Sequence, residues 1–394
     1  MLHTVVPRKQ ISKLLVLFSS GCLTSITGGV VSPVVPEIVI QMQLDPRWAG
    51  MLVSMHCLTI AVFSPALGIL ADRIGELKVL IPSLISYCVF GISGAFMPGF
   101  LPLLLSRALL GIASGGIAVA SIGIISNMYE GDERFRVLGY ASSIFSITSI
   151  FFPLLGGLLG AVNWQYAFYL YALSLPVTLF AALLLHEQPQ KRSKSGQFLP
   201  RNNRKLIKNL QNPGNVTLFL ALGLTSAIFY IVIIYAPLHF KATIGADTLL
   251  NGMIVASRAV GAAVISAFSA SQLAKNIGAA HAMPFGFVVM AISLVTIPHI
   301  EQIQLIFLLA IMFGIGFGIV MPNLYNSLAQ TNPPGVRSSI LAVGNGASYL
   351  GQFLSPVLLG GVWKYGGVNV FYIGAAISIF TAILTLKQKN VLRN

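Results

Sequence analysis

The sequence predicts an all-α integral membrane protein with twelve transmembrane helices in two parallel-repeat six-helix bundles. Three observations predict it. Hydrophobic residues make up 56% of the chain and charged residues 9%, with a mean hydropathy of +0.84. A soluble domain carries roughly 25% charged residues, so a chain this poor in charge could not cover a surface facing water. The apolar residues fall into twelve runs of about 20, the length that crosses a bilayer. The first six runs reappear in the second six at a constant offset of 203 residues.

The predicted spans are 14–36, 50–71, 79–97, 101–127, 137–160, 165–185, 216–238, 249–272, 280–298, 302–328, 338–362 and 367–387. Barrel strands would be about ten residues long and alternate polar with apolar. These runs are twice that length and lack the alternation. The first is too long for the apolar part of a signal peptide and shows no small-residue cleavage site, so it is expected to persist as the first helix. It ends in Pro33-x-x-Pro36-Glu37.

Between spans 2 and 3 stands GILADRIGELKVL, residues 68–80, with Asp72, Arg73, Glu76 and Lys78 crowded around Gly75. Gly68 allows close helix approach, and Gly75 permits a turn with positive φ. Arg107 falls inside span 4 and Arg258 inside span 8. An arginine at depth costs about 2.5–3.5 kcal/mol on insertion scales, so each is expected to face a cavity or a partner, in proton coupling or substrate contact. His56 in span 2 and Glu37 at the end of span 1 are further candidates for those roles. No acid sits in the middle of any span.

Ser142, Ser146 and Ser149 in span 5 are spaced to share one helix face. Their shifted counterparts, Asn345, Tyr349 and Gln352, share a face of span 11. These stripes, with the aromatic Phe229 and Tyr230 of span 7, are expected to line a central path. Cys22, Cys57 and Cys88 lie inside spans without metal-binding spacing and read as small packing residues. No metal or cofactor is expected.

Residues 186–215 form the one long polar stretch, a linker between residues 1–185 and 216–394. The net charge is +14. With twelve spans and the N-terminus inside, nineteen of the 24 Lys and Arg fall on one side and three, Arg47, Lys241 and Lys364, on the other. That asymmetry is the positive-inside signature. It places both termini in the cytoplasm and explains the charge without a nucleic-acid partner.

The repeat is specific. At the 203-residue offset Leu70, Ala71, Ile74 and Gly75 fall on Leu273, Ala274, Ile277 and Gly278. Gly111 and Gly115 fall on Gly314 and Gly318, Pro153 and Gly157 on Pro356 and Gly360, and Phe168 and Tyr169 on Phe371 and Tyr372. Six spans per repeat give both halves one orientation, an arrangement found in secondary transporters.

Gly68-x-x-Ala71-Asp72-Arg73-x-Gly75 resembles the loop signature of the major facilitator superfamily. Leu105-x-Arg107-x-x-x-Gly111-x-x-x-Gly115 is similar to that family's helix-4 arginine motif. Pro153-x-x-Gly156-Gly157 resembles the second half of the antiporter motif of its twelve-helix drug–proton exporters, with Thr148 and Phe152 in place of the leading glycines. Trp164-x-x-x-Phe168 and the Pro33–Glu37 segment fit the same branch. The resemblance implies a cytoplasmic latch made by Gly68, Asp72, Arg73 and Gly75, with Asp72 set against the eleventh span. Two departures stand out. Glu76 occupies a position where the family usually has a base for a charge relay to Glu130, Asp132 and Glu133, and Lys78 is the alternative base for that relay. In the second half Lys275 and Asn276 replace Asp72 and Arg73.

There is no P-loop and no nucleophile–base pair, so the expectation is a transporter and not an enzyme. The resemblance implies proton-coupled efflux of small drug-like or metabolite molecules by alternating access, by a monomer in the plasma (inner) membrane. The alternative is a dedicated exporter of one anionic or neutral metabolite, such as a siderophore, a sugar or a lipid-like compound, which the two span arginines favour. A non-transporting membrane sensor is a remoter alternative, against which the intact Asp72 loop argues.

Overall fold

The computed structural model describes residues 8–129, 131–185, 203–268 and 279–392. Linker residues 186–202, Lys275 and Asn276 lie outside the described residues, as do Glu130 and the side chains of Asp132 and Ser142. Among the described residues the chain is helical throughout. Its helices are α1 Arg8–Gly29, α2 Val35–Gln41, α3 Ala49–Ile74, α4 Glu76–Ser93, α5 Phe100–Met128, α6 Gly131–Val162, α7 Trp164–Tyr169 and α8 Ser174–Leu184. There follow α9 Asn203–Leu210, α10 Pro213–Ile244, α11 Thr248–Phe268, α12 Ala279–Thr296, α13 Ile303–Gln330, α14 Pro334–Gly366 and α15 Asn369–Leu392.

Prolines and glycines set the breaks. Pro33 opens a 3₁₀ turn over Ser32–Val34, and Pro36 sits in the first turn of α2, so the first span runs through two helices to Gln41. Gly75 holds φ 107°, a backbone an L side chain rarely adopts, and joins α3 directly to α4. Gly245, at φ 66°, stops α10. Predicted span 6 is divided into α7, a 3₁₀ turn over Leu170–Leu173, and α8. Of the linker, residues 203–210 form α9.

Among the described residues, eleven helical stretches are long and apolar enough to cross a membrane. The predicted eleventh span is the exception. It forms the 33-residue α14, which is amply long. Asn345, Tyr349, Gln352 and several serines and glycines dilute its hydropathy. The chain is therefore an all-helical membrane protein, consistent with twelve crossings.

The sequence repeat is also a repeat of packing. A Cβ at Gly111 of α5 would stand 2.5 Å from the His56 carbonyl oxygen of α3. At the equivalent place a Cβ on Gly314 of α13 would collide with the Arg258 carbonyl oxygen of α11. Phe168 and Phe371, one offset apart, are both fully buried. The helix ends form two faces. The basic face holds the start of α1, the Gly75 turn and the starts of α6, α10 and α14. The far face holds the turns at 42–48, 94–99, 245–247, 297–302 and 367–368.

Candidate functional site

Residues before and after the linker meet in two matched contacts near the far face. In the first, Pro153 and Gly157 of α6 approach the start of α11. A Cβ on Gly157 would lie 2.5 Å from the Thr248 carbonyl oxygen, one on Gly252 would lie 2.7 Å from that of Pro153, and Thr248 Oγ1 donates to the Gly157 carbonyl at 3.0 Å. In the second, Pro356 of α14 presses on Gly50 of α3, and Gly360 packs against the Arg47 carbonyl oxygen. Pro153, Gly156 and Gly157 thus supply bare backbone at a crossing: a Cβ on Gly156 would stand 2.5 Å from the Val30 carbonyl oxygen.

Ion pairs reinforce this end. Lys241 Nζ bonds Glu37 Oε1 at 2.7 Å, and Lys364 Nζ bonds Asp45 Oδ2 at 2.7 Å. Arg47 Nε lies 3.0 Å from the same Asp45 carboxylate. Lys364, and secondarily Arg47, hold the Asp45 carboxyl below the usual carboxylate range. Glu37, expected as a coupling candidate, is thus a bridge between α2 and α10. Ser32 Oγ adds a bond to the Ile233 carbonyl at 2.5 Å.

Deeper in, the two parts of the chain join through a thiol. Cys57 of α3 is fully buried. Its Sγ donates to Gln352 Oε1 of α14 at 3.1 Å and lies 3.1 Å from the Tyr230 hydroxyl of α10. His56 Nε2 is 3.4 Å from the same sulfur. Tyr230 and Gln352, predicted to line the path, and His56, a coupling or substrate candidate, therefore come together at one point. Tyr349 is half-buried and Asn345 exposed on the same stripe of α14, which continues to Pro356 at the far contact. Ser146 and Ser149 are half-buried on α6, two turns and one turn before Pro153, and Ser149 Oγ donates to the Ser146 carbonyl at 2.7 Å.

The two arginines meet different fates. Arg107 is 1% exposed. It donates to the Tyr171 hydroxyl at 3.1 Å and to the carbonyls of Gly91 at 3.1 Å and Phe90 at 3.4 Å. Its guanidinium lies 4.7 Å from the Phe168 ring and 5.2 Å from that of Tyr171. Tyr171 donates on to the Thr27 carbonyl at 3.0 Å, and Tyr87 bonds the Leu23 carbonyl. All these partners precede the linker, so Arg107 ties α1, α4 and α5 together and stands away from the contacts with α10, α11 and α14. Arg258 is 6% exposed. It lies 4.2 Å from the centroid of Phe229, whose ring stacks on Phe317 at 4.5 Å. No group among the described residues accepts a hydrogen bond from it, and its Nε is enclosed without a partner.

At the basic face Gly68 is buried and Asp72 and Arg73 are exposed. Glu76, which stands where a base was expected, accepts a hydrogen bond from Asn127 at 2.7 Å, so an amide at the end of α5 takes up this acid.

Sequence reasoning missed Cys57 as a junction and the pairing of Lys241 and Lys364 with acids. Periodicity cannot mark a lone cysteine. The three cations of the sparse side were a signal for the ion pairs, since each has a carboxylate within 3.0 Å.

A sequence model described as Major Facilitator Superfamily matches residues 17–356 and 218–391. The quinolone resistance protein NorA of Staphylococcus aureus is 23% identical over 390 residues, covering 96% of each chain. The class B tetracycline resistance protein of Escherichia coli is 23% identical over 344 residues, covering 84% of each. Among solved structures, the nucleoside transporter NupG superposes with a TM-score of 0.80 at 16% identity, covering 96% of this chain and 99% of that one. A bacterial homologue of the human lysosomal transporter Spinster gives 0.77 at 16% identity, covering 97% and 96%.

Proposed function

The chain belongs to the major facilitator superfamily and is an integral membrane transporter of small molecules, and from that premise we propose that it exports drug-like or metabolite molecules by proton-coupled alternating access. Residues 1–185 and 216–394 act as two bundles joined by the linker 186–215. The basic face is cytoplasmic, as are both termini, and the membrane is the plasma (inner) membrane. The protein works as a monomer with protons as the coupling ion.

One observation carries the alternating-access reading. The bonds that join residues on either side of the linker gather at the far face, in two contacts related by the repeat, Pro153 with Gly252 and Pro356 with Gly50. Toward the basic face Asn345 of α14 is exposed. This is the pattern of a carrier closed outward and open to the cytoplasm. Its opposite state requires the far contacts to part and the basic face to close, where Asp72 would act as the latch. The export direction and the drug-like substrates follow the named resistance of the curated relatives.

The test is transport in proteoliposomes under an imposed proton gradient, with ethidium and 2-naphthoate as probes. Uptake of either probe against its gradient, abolished by a protonophore, is expected. Movement insensitive to the proton gradient would overturn the coupling, and no movement of any probe would favour a sensor. Arg258 favours the second reading, an exporter dedicated to an anion.

A further inference from the structure

Resting on that transport reading, we propose that Arg258 and Phe229 form the recognition site for an organic carboxylate with a flat apolar body.

Arg107 supplies the internal comparison. Both arginines sit inside apolar helices, both are buried, and both lie against aromatic rings. Arg107 has its donors answered by Tyr171, Phe90 and Gly91. Arg258 has its Nε enclosed without a partner, and no acceptor for its guanidinium stands among the described residues. Buried guanidinium groups are held by acceptors or anions, because an unpaired buried charge is strongly unfavourable. A cation over a ring face offsets part of that cost, but a ring accepts no in-plane hydrogen bond from the guanidinium fork.

None of the described carboxylates answers it. The sequence holds ten acids. Glu37 and Asp45 are paired with lysines at the far face. Asp72, Glu76 and Glu133 stand at the basic face and Glu301 precedes α13, while Glu130, Glu187 and the side chain of Asp132 lie outside the described residues. Asp247 precedes the same helix as Arg258, but eleven residues of helix separate them by about 16 Å. Asp247 is also committed to the Leu250 amide at 2.7 Å. With no described carboxylate at hand, the site is suited to a counter-ion from outside the protein.

The ligand chemistry follows from the geometry. The planar guanidinium fork matches a carboxylate in two parallel bonds. Phe229 and Phe317 form a half-buried aromatic step beside it, near the midpoints of α10 and α13. Phe229 is followed by Tyr230, which reaches across to Cys57 and so to Gln352. An anion on Arg258 would thus sit next to the junction that joins the two parts of the chain. Close packing of Gly314 on the Arg258 carbonyl holds α11 in place.

The experiment is equilibrium binding to purified protein in lipid nanodiscs. Its probes share one ring system: 2-naphthoate, neutral 2-naphthamide and cationic 2-naphthylmethylammonium. Wild type is expected to bind 2-naphthoate at least tenfold more tightly than either other probe. Arg258→Gln should remove that preference and Arg258→Lys should restore part of it. Phe229→Leu should weaken 2-naphthoate and 2-naphthamide alike. Should Arg258→Gln fail to fold, the wild-type preference and the Arg258→Lys titration still decide. Preference for the cation, no binding of 2-naphthoate, or an unchanged preference in Arg258→Gln would overturn the proposal. If 2-naphthoate binds through Arg258 but is not moved in proteoliposomes, the recognition site stands and the exporter reading falls.

Discussion

Lys364 Nζ stands 2.7 Å from Asp45 Oδ2, tying the end of α14 to the turn before α3. With Lys241–Glu37 it forms a pair of bridges across the far face. The Asp45 carboxyl is depressed by Lys364, so its link is intact above the ordinary carboxylate range and is lost as pH falls through the lowered value. Neutral pH leaves it closed, and strong external acid opens it. Asp45→Asn with Glu37→Gln should raise labelling of a cysteine placed at Ser149 by an impermeant thiol reagent from the far side. A double-mutant cycle on Glu37 and Lys241 should give about 0.2–1 kcal/mol, the size of a solvent-accessible pair. High salt should mimic part of the effect.

Cys57 should be silent toward maleimide in this state, because its sulfur is enclosed by Tyr230 and Gln352. Cys22, only partly covered, should label first. Conditions that open the far face should expose Cys57. Cys57→Ala should lose about 0.5–1.5 kcal/mol from the junction, the worth of an ordinary hydrogen bond, and shift the protein toward the opposite state. Equal labelling of both cysteines in the resting protein would refute the junction.

Gly111→Ala and Gly314→Ala should each destabilise by about 1–3 kcal/mol, since the new methyl meets backbone that cannot swing aside. Gly346→Ala and Gly361→Ala, where nothing stands within 4 Å, are the controls. Thermal unfolding should separate the two groups.

Single cysteines at Asn345 and Tyr349 should react with a water-soluble thiol reagent from the cytoplasmic side and be protected by substrate. Leu358, highly exposed on α14, is an apolar control expected to face lipid. Reaction at Leu358 equal to that at Asn345 would reassign the helix face.

Asp72→Asn should lower transport and lengthen the time spent open to the cytoplasm, read as faster labelling at Asn345. Gly75→Ala should do the same through backbone strain at φ 107°. Unchanged labelling in both variants would reject the latch.

Much of the architecture was legible from short windows. Hydropathy over about 20 residues located the spans, and Gly75 was marked as a turn by its own backbone chemistry. The helical period that puts Asn345, Tyr349 and Gln352 on one side of α14 is local, so that spacing could be read directly from sequence. The division of span 6 was hidden, because Leu170–Leu173 is as apolar as its flanks. The hydropathy of α14 understated a helix whose Gln352 meets Cys57 from the other side of the linker.

The chain's membrane character, its repeat and its charge asymmetry are determined by the sequence alone, because each is a property of residues near one another or of a fixed offset. What became of the two arginines was decided only by the tertiary structure. Arg107 and Arg258 carry the same local signal, a cation in an apolar helix with no acid within reach along that helix. Arg107 is answered from 16, 17 and 64 residues away, by Gly91, Phe90 and Tyr171. Arg258 meets a ring 29 residues back, and its enclosed Nε finds no acceptor among the described residues. Burial and pairing are set by which surfaces distant segments bring to a point, and no window of sequence contains both sides of that encounter.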